Sequence, residues 1–103
     1  MEKLLLFNNQ LTELPYSIGN LKKLKELHIG RNSIESLPES IGKLENLTDL
    51  NIYDNPQLTE LPKSIVNLKN LKYIHINRNQ LKKSQIEILL SKLPNCEILY
   101  YGE

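Results

Sequence analysis

The side chains in this sequence that could do chemistry are few and widely spaced. Its 103 residues include two histidines, His28 and His75, and one cysteine, Cys96. A serine or cysteine nucleophile needs a base within hydrogen-bond reach, and the sequence offers no such nucleophile–base pair. The four glycines are scattered, so no phosphate-binding loop is present. We therefore predict neither an enzyme nor a protein that needs a cofactor.

The serines instead point to an internal repeat. Ser17, Ser40 and Ser64 lie in related segments at 14–21, 37–44 and 61–68, each reading Leu-Pro-x-Ser-Ile-x-x-Leu. Such recurrence favours a structural role for these serines over a catalytic one. Between the segments runs a second shared frame, Leu-x-x-Leu-x-Leu-x-x-Asn-x-Leu, in which isoleucine can replace leucine. Its copies begin about every 23 to 25 residues, at Met1, Leu24, Leu47, Leu71 and Cys96.

Each part of the frame has a physical role. In Leu27-His28-Ile29 the alternation is that of a short strand with two side chains in the core and one outside. The frame asparagine stands where the chain leaves the strand, and its amide can bind the backbone groups freed there. We predict a hydrogen-bonded asparagine ladder, and replacing Asn55 with leucine should cost about 1–3 kcal/mol. The ladder consists of Asn9, Asn32, Asn55 and Asn79.

These motifs resemble the leucine-rich-repeat family. The Leu-Pro-x-x-Ile-Gly-x-Leu segment resembles its 23-residue class, which bacterial proteins share with plant and animal relatives of Ras-binding scaffolds. The resemblance covers the whole chain and implies an α/β repeat solenoid. Short parallel strands would line its concave face, and irregular or 3-10 turns its convex face. We expect one domain, 1–103, with repeats 1–23, 24–46, 47–70 and 71–95 and a closing strand at 96–103.

The two ends of the chain differ. After Leu81 the sequence predicts a helix from Ser84 to Leu93, with Ser84 and Glu87 at capping-box spacing. A last strand from Cys96 to Tyr101 would then close the stack, with Cys96, Leu99 and Tyr101 in the core. This ending resembles the C-terminus of bacterial members of the family.

The first coil has no comparable closure, because Met1 already occupies the first frame position. An uncovered coil exposes an apolar face and an open strand edge. Three explanations stay open: further repeats precede this sequence, two chains cover each other, or the first coil is partly disordered.

If the strands form a parallel sheet, their outward residues line up in columns across the concave face. Tyrosine and arginine are favoured anchors of protein interfaces. We therefore expect Tyr53, Tyr73 and Tyr100 to anchor a partner, with Arg31 and Arg78 as carboxylate clamps. The predicted partner-binding residues are Glu26, His28, Arg31, Asp49, Asn51, Tyr53, Asp54, Tyr73, His75, Asn77, Arg78 and Tyr100.

Two other interpretations apply to the same columns. The sheet could be ordinary solvated surface, with Arg31, Asp54 and Arg78 forming a cross-strand ion network. A metal ion between His28 and His75 is a weaker alternative. These histidines are two coils apart, so their strands are separated by nearly 10 Å, whereas zinc needs ligands at about 2 Å. We predict no metal site.

Composition narrows the function further. Thirteen basic and twelve acidic residues give a net charge of +1, and they form no basic patch of the kind that nucleic-acid binding requires. No apolar run approaches the roughly 20 residues that span a bilayer. We expect a protein–protein interaction module. Its alternatives are a secreted or surface bacterial protein that contacts host molecules, and a unit that self-associates through its N-terminal edge.

The sequence does not determine the cellular compartment of the protein. The lone Cys96 fits a reducing compartment, although a secreted protein can also lack disulfides. The start at Met1 does not read as a signal peptide. The protein would be cytoplasmic or, if an upstream signal has been removed, secreted or at the cell surface.

Overall fold

The computed structural model describes residues 1–76 and 79–99. Within these ranges, five strands form one parallel sheet in chain order. Three 3-10 helices and one α-helix, α1, connect them. The strands are β1 (Lys3–Leu5), β2 (Glu26–His28), β3 (Asp49–Asn51), β4 (Tyr73–His75) and β5 (Glu97–Leu99), the 3-10 helices are Tyr16–Asn20, Glu39–Lys43 and Lys63–Asn67, and α1 is Lys83–Lys92. The predicted repeat solenoid is confirmed.

The core is a stack of aliphatic side chains at equivalent frame positions. The central residues of the inner strands, Leu27, Leu50 and Ile74, are fully buried, and the residues on either side of them face outward. This is the alternation that the frame predicts. A buried leucine contributes about 1.5–3 kcal/mol relative to an exposed one. No single coil could bury these side chains, so stability comes from stacking.

The 3-10 helices stack closely because the glycine of one helix packs against the serine of the next. A Cβ added at Gly42 would lie 2.7 Å from the carbonyl oxygen of Ser64. The Ser64 hydroxyl in turn donates to the Glu39 carbonyl at 2.7 Å, and Ser40 donates to the Tyr16 carbonyl at 2.6 Å. The recurring serines therefore tie each coil to the one before it.

The C-terminal helix is present, but its predicted start is wrong. It begins at Lys83, and its N-cap is Lys82, which makes no side-chain capping bond. Ser84 therefore already lies inside the first turn and cannot form the expected capping box with Glu87. The helix is instead fixed to the preceding coil by Gln85, whose Oε1 accepts from the Leu61 amide at 2.7 Å.

The last strand pairs one residue earlier than expected. Ile74 faces Ile98, so Ile98 and not Leu99 takes the core position, and Leu99 faces His75. Cys96 is buried at the first frame position as predicted, but β5 begins at the very next residue, Glu97. Consecutive apolar residues at 98 and 99 leave the register unspecified by alternation. Tyr101 lies outside the described residues.

Candidate protein-binding surface

The strand register brings six of the twelve predicted partner-binding residues together on one face. Two columns run across the inner strands, one with Glu26, Asp49 and Tyr73 and the other with His28, Asn51 and His75. At β5 these columns continue with Glu97 and Leu99, in place of the expected Ile98 and Tyr100. Asn77, Arg78 and Tyr100 lie outside the described residues.

Tyr53 follows β3 and lies across the preceding coil. A Cβ at Gly30 would come within 2.8 Å of the Tyr53 ring, so the ring can occupy this place only because Gly30 has no side chain. Arg31 donates from Nε to the Tyr53 hydroxyl at 2.7 Å, and its guanidinium carbon is 5.8 Å from the ring centre. These contacts hold the tyrosine in one orientation. Gly30 and Tyr53 occupy the same position of the repeat frame, but the frame does not indicate this packing.

The suggested pairing of Arg31 with Asp54 does not form. Within residues 1–76 and 79–99, no ion pair joins the two side chains, and Arg31 binds Tyr53 instead. Both residues have left-handed backbones, with φ of 56° and 59°. This conformation carries a small steric cost for a residue other than glycine.

Glu26 is the centre of a polar cluster at the β1–β2 end of the sheet. Its carboxylate accepts from His28 Nε2 at 3.1 Å and lies 3.7 Å from the Lys3 ammonium. The hydrogen bond from His28 lowers the pKa of Glu26 most, and the Lys3 charge lowers it further. The Phe7 ring packs edge-on against His28, with 6.3 Å between ring centroids. Glu26 is therefore engaged within the protein.

His75 occupies the same column, two strands away from His28. Partial burial lowers its pKa below the usual 6.5, and the nearby His28 adds to this effect while Asp49 opposes it. The structure does not assemble a metal site from these side chains. In the described part of the chain, no three His, Cys, Asp or Glu residues are placed to hold a metal ion.

The pKa of His75 predicts a loss of stability in mild acid. Because the folded-state pKa lies below the unfolded value of about 6.5, the unfolded chain takes up the proton more readily, and stability falls as pH drops below that value. We expect the urea midpoint of the wild type to fall between pH 7.5 and 5.5, and that of His75→Gln to fall less. Equal changes in both proteins would contradict this assignment.

The asparagine ladder is best developed in the middle of the stack. Oδ1 of Asn32 accepts from the amides of Asn9 and Leu11, and Oδ1 of Asn55 accepts from the amide of Ile34. Both side chains are buried, and their Nδ2 groups donate to carbonyls of their own and the preceding coil. Each amide therefore bridges two coils.

The ladder is weaker at its two ends. The Asn9 side chain is exposed, and among the described residues its Nδ2 donates only to the Phe7 carbonyl, at 3.2 Å. The buried Nδ2 of Asn79 has no acceptor among residues 1–76 and 79–99. A second series that the sequence analysis missed precedes the strands, with Asn46 and Asn70 donating to carbonyls of the preceding coil at 2.8 Å. Its signal was asparagine at the same position of two successive units.

Cys96 is buried in the hydrophobic core, together with Leu89 of α1. Burial, and to a smaller degree the charge of Glu97, raises the pKa of its thiol to about 11. At neutral pH it is therefore protonated, and the thiolate needed for nucleophilic chemistry is scarce. Across the described ranges, no helix is both long and apolar enough to span a membrane.

Comparisons with known proteins agree with this architecture. The family model described as a leucine-rich repeat region matches residues 3–100. A leucine-rich-repeat protein of Leptospira interrogans superposes with a TM-score of 0.90 and is 38% identical over 95% of this chain. The leucine-rich-repeat domain of the type III effector XopL, from Xanthomonas, gives a TM-score of 0.57 and 26% identity over 86% of this chain. No curated protein sequence matches.

The match leaves part of each neighbour uncovered. The chain spans 25% of the Leptospira protein and 38% of the XopL domain chain. Leucine-rich-repeat domains generally serve as protein–protein interaction modules and are typically not enzymes. With its repeat frame, its parallel sheet and a family model matched over nearly its whole length, the chain belongs to the leucine-rich-repeat family.

Proposed function

We propose that the concave sheet face binds a protein partner, with Tyr73 as its central anchor. Tyr73 is 41% exposed although it stands on a strand whose next residue is fully buried. A large ring on a rigid backbone offers contact area at a small entropic cost. This exposed ring is the observation that carries the proposal. The face extends over Glu26, His28, Arg31, Asp49, Asn51, Tyr53, Asp54 and His75, and we include Asn77, Arg78 and Tyr100 from the sequence pattern.

The neighbours of Tyr73 support the same proposal. His75 and Asn51 are half-buried in the adjacent column, so they can bind a partner without first being ordered. Tyr53 is already fixed by Arg31 and Gly30. Preorganised side chains of this kind reduce the free energy that association costs.

The experiment compares two tyrosines of the same chain. Tyr73→Ala removes the proposed anchor, whereas Tyr16→Ala removes a tyrosine that is 64% exposed on the first 3-10 helix, away from the sheet. We would immobilise both variants and the wild type, capture proteins from the source organism and identify them by mass spectrometry. We expect a partner that the wild type and Tyr16→Ala retain and that Tyr73→Ala loses.

The affinity of that partner then gives a quantitative test. Loss of an anchor should weaken binding about tenfold or more, whereas Tyr16→Ala should bind as the wild type does. Tyr53→Ala should also weaken binding, because its ring lies on the same face. A partner that both Tyr73→Ala and Tyr53→Ala bind with unchanged affinity would contradict the concave site.

Self-association through the first coil is the second candidate. Three large apolar side chains of this coil are exposed, Met1 by 67%, Leu5 by 53% and Phe7 by 49%. β1 also has a neighbour on one side only within the described sheet, and an open edge can pair with another chain. Sedimentation at high protein concentration tests this, since a monomer that does not associate would rule it out.

The same concave face could also serve a protein that acts outside the bacterial cell. The similarity to the domain of a type III effector supports this alternative. Fractionation of the source organism distinguishes the two, because a secreted or surface protein will be recovered outside the cytoplasmic fraction.

A further inference from the structure

A groove of about 420 Å³ lies between the third 3-10 helix and α1, and none of its residues belongs to a strand. Its size falls in the range of ligand and peptide sites. The floor and walls are mainly apolar, and Ile88 is 52% exposed beside it. The lining residues include Glu60, Lys63, Val66, Ile88, Leu89 and Lys92.

The groove exists because the close stacking of the 3-10 helices ends there. In the first two coils Gly19 and Gly42 let the next coil approach so nearly that an added Cβ would clash at 2.6 Å. The third coil carries Val66 at this position, and its side chain prevents an equally close approach. The next element is α1, which is wider than the 3-10 helices it follows.

Three charged residues line the groove, namely Glu60, Lys63 and Lys92. Gln85 binds the Leu61 amide, so Glu60 lies beside the first half of α1. Lys92 lies seven residues after Gln85 on the same helix, about 10 Å further along its axis. In the described ranges, neither Lys63 nor Lys92 has a carboxylate within 4 Å. Two ammonium groups are therefore free to bind an acidic ligand.

We propose that this groove is a second docking site, for a partner segment whose apolar side chains are flanked by carboxylates. The apolar side chains would contact Ile88, Val66 and Leu89, and the carboxylates would bind Lys63 and Lys92. Desolvating the apolar walls supplies the attraction, and the two lysines select an acidic partner. Because the groove is separate from the strands, both sites can be occupied together.

The probe is a synthetic hexapeptide with leucine and phenylalanine at its centre and two glutamates at each end. We would titrate it into the ¹⁵N-labelled full chain and follow the amide signals. We expect shifts at Val66, Ile88 and Leu89 and none along β2 to β4. Replacing the glutamates with lysines, or the leucine and phenylalanine with serines, should weaken binding about tenfold or more.

Matched variants test whether the groove itself is responsible. Ile88→Asp places a charge on the apolar wall, whereas Leu90→Asp alters a side chain of the same helix that is 54% exposed and does not line the groove. Ile88→Asp and the double variant Lys63→Glu, Lys92→Glu should each lose the peptide. Leu90→Asp and Lys83→Glu should retain it, and all four variants are exposed changes that should leave the amide spectrum folded.

Three results would overturn this proposal. They are absence of binding by the acidic peptide, equal binding of the lysine peptide, and equal effects of Ile88→Asp and Leu90→Asp. Failure of the groove proposal would not be a failure of the concave-face proposal. Tyr73→Ala, which tests the concave face, should leave peptide binding unchanged.

Discussion

Asn55→Leu is expected to lower the free energy of unfolding by about 2 kcal/mol or more. The substitution leaves the Ile34 amide without its acceptor and the Ile52 carbonyl without its donor, whereas the Ile29 carbonyl keeps its bond from Asn32. Each buried backbone group that loses its partner costs about 1–3 kcal/mol. The loss is a large part of the roughly 5–15 kcal/mol that stabilises a typical domain. Urea unfolding followed by circular dichroism measures it.

Asn9→Leu is the matched control. Asn9 holds the same position in the first coil, but its side chain is exposed and, among the described residues, donates only to the Phe7 carbonyl. Its replacement should change stability by no more than about 0.5 kcal/mol, as most surface substitutions do. If both variants unfolded at the same urea concentration, the bonds that bridge neighbouring coils could not be what makes the buried asparagine important.

The repeat frame predicts the inner coils well because several signals coincide there. Three signals require the same register. They are the buried Leu27 and Ile29 on either side of His28, the asparagine at position 32 and the Leu-Pro segment that follows. Stacking then repeats that register in each neighbouring coil. A chain in which local and long-range preferences agree has few alternatives.

The frame fails at β5 because its signals no longer coincide. Ile98 and Leu99 are both apolar, and no described asparagine follows them to fix the register. The helix start fails for a related reason, since Ser84 matches a capping motif but the helix begins at Lys83. A short motif specifies structure only where packing agrees with it, and here Gln85 and Leu89 fix α1 against the preceding coil.

The repeat frame predicts which residues share a column of the candidate site, but it does not predict which side chains contact each other. Strand pairing follows from the frame, so Asp49 and Tyr73 had to be neighbours. That Arg31 would bind Tyr53 rather than Asp54 depends on the ring lying over Gly30. Such packing involves side chains 22 and 23 residues apart, and alternation carries no information about it.

Gly42→Ala is expected to destabilise the protein by about 2 kcal/mol, although alanine is usually the better helix former. Its Cβ would lie 2.6 Å from the Ser64 Cβ and 2.7 Å from the Ser64 carbonyl oxygen, so two backbones must move apart. Overpacking of this kind costs about 1–3 kcal/mol, and displacing Ser64 also weakens its bond to Glu39. The reduced entropy of the unfolded chain returns only about 0.4–1 kcal/mol.

Val66→Ala tests the same frame position where close stacking has already ended. Val66 is half-buried and faces the groove beside α1, so losing two methyl groups removes packing but relieves no clash. We expect a loss of about 1 kcal/mol, smaller than that of Gly42→Ala, by urea unfolding of both variants. An alanine at position 42 that left stability unchanged would mean that the coils can separate without cost. In that case, the spacing beside Val66 could not be attributed to its side chain.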